Sequence, residues 1–517
     1  MAMLMNGTTR LPCDNGSPEG PPVSASIEAA APPTGGRLFD LHARLVSLMF
    51  VLALWGAPDY PWPRRAQLSS TGERMANLPD YVKASVPNPA SKRAAWYKNT
   101  APAYAGIFLW VGFYLGLPAP TLSRAGIGVC LLGLVVAGFL CFGLYYYVPG
   151  MLGMQTGRPL YVVGTATFGT TGGYVMPGLL MGLLQLGWFA VATSLSTDFI
   201  MKGLHKDSRA LFTIIALVWA YGLAWVAIKG IAYVARVAEV LNWVPLIMIL
   251  HVFWVNRSGI ANYRSPQGDP WNGFLTVLTI VIGFFATAGA AGADFGANNR
   301  DRRDIAMGGL FGIALAIVVA GGLPLLSVAG RIGATGITDY SYPTAIASVG
   351  GLASGMFFMF AVASLAPTCF CCFIASTCFG TMLPRIPRGV STLVGVTIGA
   401  LLAILGVANN LVGFFMIVGA SFGPICGAMA ADYILSEYKW SGPRDGINWA
   451  GYIAWAVGFV VGILDKIPGV PAAWEKADNP EVLFSFIAGF VVYFLLAKAG
   501  LRPAVVPLEA LSTNAAP

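Results

Sequence analysis

GMQTGRPLYVVGTATFGTTGGYVMPGLLMGLLQLGWFAVATSLS, residues 153–196, decides how the rest of the chain is read. After its turn-rich start it becomes an apolar helix over 175–200, about the length that crosses a bilayer. Trp188 lies in the middle of that helix, away from the interface belts where membrane tryptophans usually gather. The same pattern repeats on both sides. Helices are expected near 101–118, 125–147, 175–200, 210–228, 235–254, 273–293, 307–328, 351–378, 390–407, 411–434, 448–465 and 482–499. These are twelve spans joined by short loops, with no soluble domain inserted. Any function must therefore be built inside the bundle, which favours a transporter over a membrane-anchored enzyme.

Composition agrees. Of 517 residues, 56% are hydrophobic and only 10% charged, against about 25% charged in soluble domains. Such a chain cannot coat a soluble surface, which excludes a soluble enzyme, a nucleic-acid-binding domain and a disordered protein. The 63 glycines allow close helix approach, and the aromatics seat at interfaces. The expected fold class is an all-α integral membrane protein whose surroundings are the lipid bilayer of the cytoplasmic membrane. No nucleic acid and no obligate protein partner are implied.

The net charge of +8 reads as topology. With the N-terminus inside, the segments after residue 75 that face the cytoplasm hold 16 Lys and Arg, and the outer segments hold 9. Lys92, Arg93, Lys98, Arg300, Arg302, Arg303, Arg385, Arg388, Lys439 and Arg444 carry the bias, which places both termini in the cytoplasm. Residues 1–100 form an N-terminal tail, 101–434 a transport core and 435–499 two further helices, with a tail at 500–517. Residues 12–36 are rich in Pro, Gly, Ser and Ala and are expected to be disordered. The apolar run 45–55 is too short to span a bilayer, and Met75 is the expected true start. Seven cysteines lie in apolar runs and Cys13 lies in the tail, which is not a secreted disulfide framework.

Polar or broken positions inside spans are costly and point to function. The first span carries Pro102, Gly106, Gly112, Gly116 and Pro118, and the sixth carries Gly283, Gly289 and Gly292. Paired breaks of this kind mark inverted-repeat transporters, unless the glycines only pack helices. Trp188 and the sixth-span pair Phe284 and Phe285 offer aromatic faces at mid-depth for stacking a flat ring. Asp294 closes the sixth span, where pairing with Arg300, Arg302 or Arg303 is expected. Asp432 closes the tenth in the same way, and Glu239 is a weaker proton-handling candidate. In ASLAPTCFCCFIAST (363–377), Cys369 and Cys372 form C-x-x-C, but none of the three histidines is near, so a metal site is not expected. Pro367 frees a backbone carbonyl beside the hydroxyl of Thr368.

Four stretches carry a family resemblance: 153–192, AAGADFGANNRDRRDIA (290–306), NNLVGFFMIVGASFGPICGAMAADYIL (409–435) and GINWAGYIAWAVGFVVGILDKIPGVPA (446–472). In that order they resemble the nucleobase:cation symporter family, and its cytosine permeases in particular. The resemblance implies a five-plus-five inverted repeat of the leucine-transporter type, with repeats at about 101–254 and 273–434 and two extra C-terminal helices. It implies import of a nucleobase or related heterocycle by alternating access, coupled to a sodium ion or a proton, with no other cofactor. It puts the substrate between Trp188 and Phe285, with Phe284 lending backbone, and the cation at Gly106, Leu109, Ser364 and Thr368. The gates would be the N-terminal halves of the fifth and tenth spans.

The chain departs from the family at two places. Ala192 stands where hydantoin-type relatives have Gln and cytosine permeases have Gly. Pro367, Thr368 and Cys369 replace a T-T-N or S-T-N run, which removes one hydroxyl and an amide that would meet a base edge. The implied site is neutral. Another small metabolite (a thiamine-precursor pyrimidine, an amino acid or an organic cation) is the alternative substrate, and a membrane sensor or enzyme is the remote alternative.

Overall fold

The computed structural model of the chain describes residues 78–229, 241, 243–383, 385–470 and 479–506. Cys13, the expected start at Met75 and Glu239 lie outside the described residues, as does most of the first half of the fifth expected span.

The described chain is helical. α1 is a bent pair, Thr100–Leu109 and Val111–Leu115. It is followed by α2 (Ile127–Thr156), α3 (Tyr174–Gly203), α4 (Arg209–Lys229) and α5 (Trp243–Asn262). The second half runs α6 (Pro270–Ala290), α7 (Arg302–Thr335), α8 (Ala353–Ala363 and Leu365–Met382), α9 (Arg388–Ile404) and α10 (Leu411–Leu435). α11 (Trp449–Gly462) and α12 (Glu481–Lys498) complete the set. Among the described residues nine helices are long and apolar enough to cross a membrane, and ten if the bent α1 counts as one span. α9 and α11 are shorter apolar helices in the places expected for the ninth and eleventh spans.

α2 and α7 run past their expected ends at 147 and 328, to Thr156 and Thr335. Each contains a π turn, Cys141–Tyr146 in α2 and Leu310–Leu315 in α7. In α2 the turn lies just before Pro149, which has no N–H to return to the preceding turn, so the altered hydrogen-bond register absorbs the missing bond. The expected paired break falls differently in the two spans. α1 bends by 45° at Trp110, whereas α6 is unbroken through Gly283 and Gly289 and is interrupted only at Ala291, before the short helix Gly292–Gly296. Those glycines serve packing. A Cβ on Gly283 would lie 2.7 Å from the Phe415 carbonyl oxygen, and one on Gly289 would lie 2.7 Å from Tyr145 Cβ.

The helices sort into packing groups. α3 packs on α4, α8 and α9, and α4 and α8 each pack on α9. α2 packs on α6 and α7, and α1 lies along the π turn of α7. α10 and α11 both pack on α12, and α10 lies against α6. α5 is welded to α7 by backbone contact. A Cβ on Gly259 would lie 2.0 Å from the Gly330 carbonyl oxygen, and one on Gly330 would lie 2.1 Å from that of Asn256. Gly259→Val is therefore expected to destabilise the fold by at least the 1–3 kcal/mol or so of ordinary overpacking. A thermal melt in detergent checks this, and an unchanged melting temperature would contradict it.

At the basic end of the bundle the segment before α1 lies on the 295–304 stretch. Ala94 N–H donates to the Asn298 carbonyl at 2.8 Å, Trp96 N–H to Asp304 Oδ1 at 3.1 Å and Asn99 Nδ2 to the Phe295 carbonyl at 2.9 Å. Arg93 Nη1 reaches across to the Met154 carbonyl at 2.6 Å. The polar run ANNRDRRD is thus a docking platform for the chain's entry into the membrane.

Candidate substrate and cation site

α1 stops at Leu109 because Trp110 is extended (φ −69°, ψ 133°), and the helix restarts at Val111. A helix end leaves its last-turn carbonyls without the next turn's donors. Leu109 is one of them, and its oxygen accepts a long 3.4 Å hydrogen bond from the Tyr114 hydroxyl. α8 has its own joint at Ser364, between Ala363 and Leu365. Pro367 cannot donate to the Ala363 carbonyl one turn back, so that oxygen loses its helical partner. Ser364 Oγ donates to the Phe360 carbonyl at 3.0 Å, and Thr368 Oγ1 donates to the Ser364 carbonyl at 2.5 Å.

The two joints meet. Trp110 Nε1 donates to Ser364 Oγ at 3.1 Å, so the broken part of α1 sits against the hydroxyls of α8. Ser364 and Thr368 are fully buried there, while Gly106, a turn earlier in α1, is half-buried.

Beside this meeting point the aromatics gather around Trp188. Its ring lies edge-to-face with Phe284 (5.2 Å, 78°) and Phe414 (4.9 Å, 84°). It is tilted at 30° to Phe415 at 5.5 Å and edge-on to Trp110 at 6.0 Å. Trp188 Nε1 donates to Thr287 Oγ1 at 3.1 Å, which ties α3 to α6 one turn beyond Phe284. No charged side chain appears among the described contacts of these rings.

The expected residues divide. Phe284, not Phe285, faces Trp188. Successive helical residues point about 100° apart, and Phe285 turns instead to stack on Phe108 (5.5 Å, 21°) and meet Tyr104 at 5.7 Å. Ala192 is buried one turn after Trp188 on α3. Cys369 is turned away from the slot. Its Sγ is 3.9 Å from the Leu223 carbonyl, and it packs with Phe189, Ala220, Val396 and Ala400 in the core shared by α3, α4, α8 and α9. Asp294 has a different partner from the arginines expected, because its Oδ1 accepts from the Leu160 N–H at 3.3 Å. Arg300 instead grips Asp304 with Nε and Nη2 at 2.8 and 3.0 Å, and Arg302 donates to the Tyr147 hydroxyl at 2.8 Å. Asp432 does pair with arginine. Its Oδ1 lies 3.4 Å from Arg444 Nη2 and 3.5 Å from Arg502 Nη1, and it accepts from the Tyr493 hydroxyl at 2.7 Å. The open cleft of about 620 Å³ above this cluster, lined by Lys439, Trp440 and Arg444, is at the ends of α10 and α12 and not at the aromatic slot.

Five residues of the site were not singled out in the sequence: Trp110, Thr287, Ala363, Phe414 and Phe415. Trp110 meets the criterion that picks out Trp188, a tryptophan halfway along an apolar span. Thr287 and the Ala363 carbonyl carry no such signal, since their roles depend on which neighbour the fold brings.

No protein-family model matches the chain. It is 24% identical over 353 residues to the cytosine permeases of Escherichia coli strain K12 and of Escherichia coli O157:H7, covering 65% of this chain and 78% of each relative. The fold matches the structure of Mhp1, a nucleobase-cation-symport-1 family transporter, in a closed conformation with bromovinylhydantoin bound. There the TM-score is 0.62 and the identity 18%, over 83% of this chain and 97% of the other. The inward-facing conformation of Mhp1 gives a TM-score of 0.63 at 16% identity, over 84% and 97% of the two chains. A Na+-coupled sialic acid symporter in a substrate-bound outward-open state gives 0.56 at 11% identity, over 81% and 92%. These relatives are transporters rather than enzymes, and the chain is distantly similar to cytosine permeases in sequence and shares the fold of Mhp1, a nucleobase-cation-symport-1 family transporter.

Proposed function

We propose that this chain is a secondary active transporter importing a flat, uncharged, cytosine-like heterocycle across the cytoplasmic membrane with a cation. One observation carries the reading. Trp188, Phe284, Phe414 and Phe415 form a neutral aromatic slot directly beside the meeting of two helix breaks, where buried hydroxyls and carbonyls converge. Aromatic faces suit a planar ring, and neutral oxygens suit a hard cation. Both termini face the cytoplasm on the charge bias of the loops.

In this reading the cation takes the Leu109 and Ala363 carbonyls with the Ser364 and Thr368 hydroxyls, and Gly106 flanks it. The substrate stacks on Trp188 against Phe284, and Ala192 leaves room at the ring edge. A flat ring between two others needs about 7 Å, twice a carbon–carbon contact distance. The rings around Trp188 stand at 4.9–6.0 Å, so the slot must widen to admit substrate. Asp294, Pro367 and Asp432 act in shaping and gating and touch neither ligand.

Reconstituted protein in liposomes should accumulate radiolabelled cytosine under an imposed inward sodium gradient or an imposed proton gradient, and not without either. Absence of uptake under both would overturn the cytosine-like reading. A melting-temperature screen of other pyrimidines, hydantoins and amino acids would then find the substrate, because a bound ligand stabilises the folded state by mass action. The specific observation in favour of such an alternative is Cys369. It stands where relatives carry a base-binding amide, and it is turned into the α4 and α9 core.

A further inference from the structure

We infer that Trp110 is the residue through which cation binding opens the substrate slot. Its indole donates to Ser364 Oγ, a hydroxyl that the cation would also use, and would leave it when the cation binds. This rests on the proposed function above and adds the link between its two ligands.

The argument begins with donors and acceptors. An indole Nε1–H can only donate, and a cation ligand must offer a lone pair. Ser364 Oγ gives its own hydrogen to the Phe360 carbonyl and takes the Trp110 N–H at 3.1 Å. A hydroxyl oxygen has two lone pairs, and a cation on the one that Trp110 leaves free lies beside the positive end of the N–H dipole, so the two repel across one oxygen. Trp110 is therefore a built-in antagonist of cation binding.

The same ring touches the substrate site. It lies 6.0 Å from Trp188 and 6.2 Å from Phe284, so release from Ser364 removes a wall of the slot. The backbone is arranged for the ring to be there. Trp110 is the extended residue of the α1 break, and its six-membered ring folds back over Gly112. A Cβ on Gly112 would lie 2.5–2.7 Å from three of its carbons. Glycine at 112 is what allows the indole to occupy Ser364 at all. The break, the glycine and the hydrogen bond together describe a ring held by one contact on a joint able to turn.

The test uses purified full-length protein without substrate. The melting temperature is followed on titration with sodium chloride against choline chloride. Wild type is expected to gain stability saturably, and Ser364→Ala to lose the response. Trp110→Phe keeps a ring but has no N–H, and should half-saturate at roughly fivefold less sodium, the equivalent of one ordinary hydrogen bond. Gly112→Ala, which displaces the indole without altering it, should shift in the same direction. A purely structural tryptophan would lower the starting melting temperature and would not raise sodium affinity. Sodium should also change the tryptophan emission of wild type by moving Trp110 out of its buried cluster, and this change should be absent in Trp110→Phe.

Sodium half-saturation in Trp110→Phe equal to or weaker than wild type would overturn the inference while leaving the cation site standing. A wild type indifferent to sodium, or a Ser364→Ala variant that still responds, would overturn the site and the inference with it.

Discussion

Trp188→Ala is expected to reduce uptake to background, a loss of about 100-fold in transport efficiency. The indole supplies the stacking face, and stacking of a base on an aromatic side chain is worth about 1–3 kcal/mol by alanine substitution, the upper end of which corresponds to roughly 100-fold. The residue also organises its neighbours. It meets Phe284, Phe414 and Phe415 and bonds Thr287, so its loss loosens the slot on the α3, α6 and α10 sides together. Trp188→Phe separates the contributions, since it keeps an aromatic face and gives up the bond to Thr287. It should keep measurable uptake, and Thr287→Val should resemble it. Uptake by Trp188→Ala at the wild-type level, with the protein folded and inserted, would remove the stacking site from the proposal.

The second large effect is on stability. Asp432→Asn is expected to destabilise the protein by about 3–5 kcal/mol, the usual result of removing one partner from a buried ion pair. The Asp432 and Arg444 side chains are 6% and 7% exposed, and Arg502 is 26% exposed. The neutral amide leaves the guanidinium of Arg444 buried without its counter-charge. Arg502, being more open, can turn to solvent, and the loss of its pairing adds little. Arg444 keeps its bonds to the Ala166 carbonyl at 2.9 Å and the Pro503 carbonyl at 3.1 Å, so the cost falls on charge rather than on hydrogen-bond count. A drop in melting temperature in detergent is the readout. Arg502→Gln alone should have a small effect, and an Asp432→Asn variant that melts with wild type would show that the cluster contributes nothing to stability.

Both variants probe residues that differ in how far they can be read in advance. Hydropathy locates the helices because crossing a bilayer demands a long apolar run, and that demand is local. Trp188 is legible for a related reason, since a mid-span tryptophan is at odds with its usual place at the interface. The choice between Phe284 and Phe285 is not legible. The two are adjacent, and the rotation of α6 that sends one to Trp188 and the other to Phe108 is set by tertiary packing. Cys369 fails for the same reason on α8. The glycines of α6 read as a break because glycine permits both unwinding and close approach, and only the neighbouring Phe415 and Tyr145 decide for approach. The partner of Asp294 is misread because charge proximity along the chain favours Arg300, whereas folding gives Arg300 to Asp304.

The π turns of α2 and α7 bear on how positions are transferred between relatives. A π turn takes one residue more than an α turn to cover nearly the same rise. An aligned pair of chains in which only one has the turn therefore slips by one position beyond it, and in a helix that slip rotates every following side chain by about 100°. α3 carries a different irregularity ahead of Trp188, a kink at Met176, whose backbone is extended (φ −123°, ψ 115°). Correspondence at Trp188 and Ala192 is best anchored from Gly187 and the C-terminal part of α3, and not counted across the kink at Met176. α6 contains no such turn among the described residues, so Thr287 can be compared by simple counting along its helix, whereas Trp110 and Ser364 stand at the breaks of α1 and α8 and are placed by those breaks.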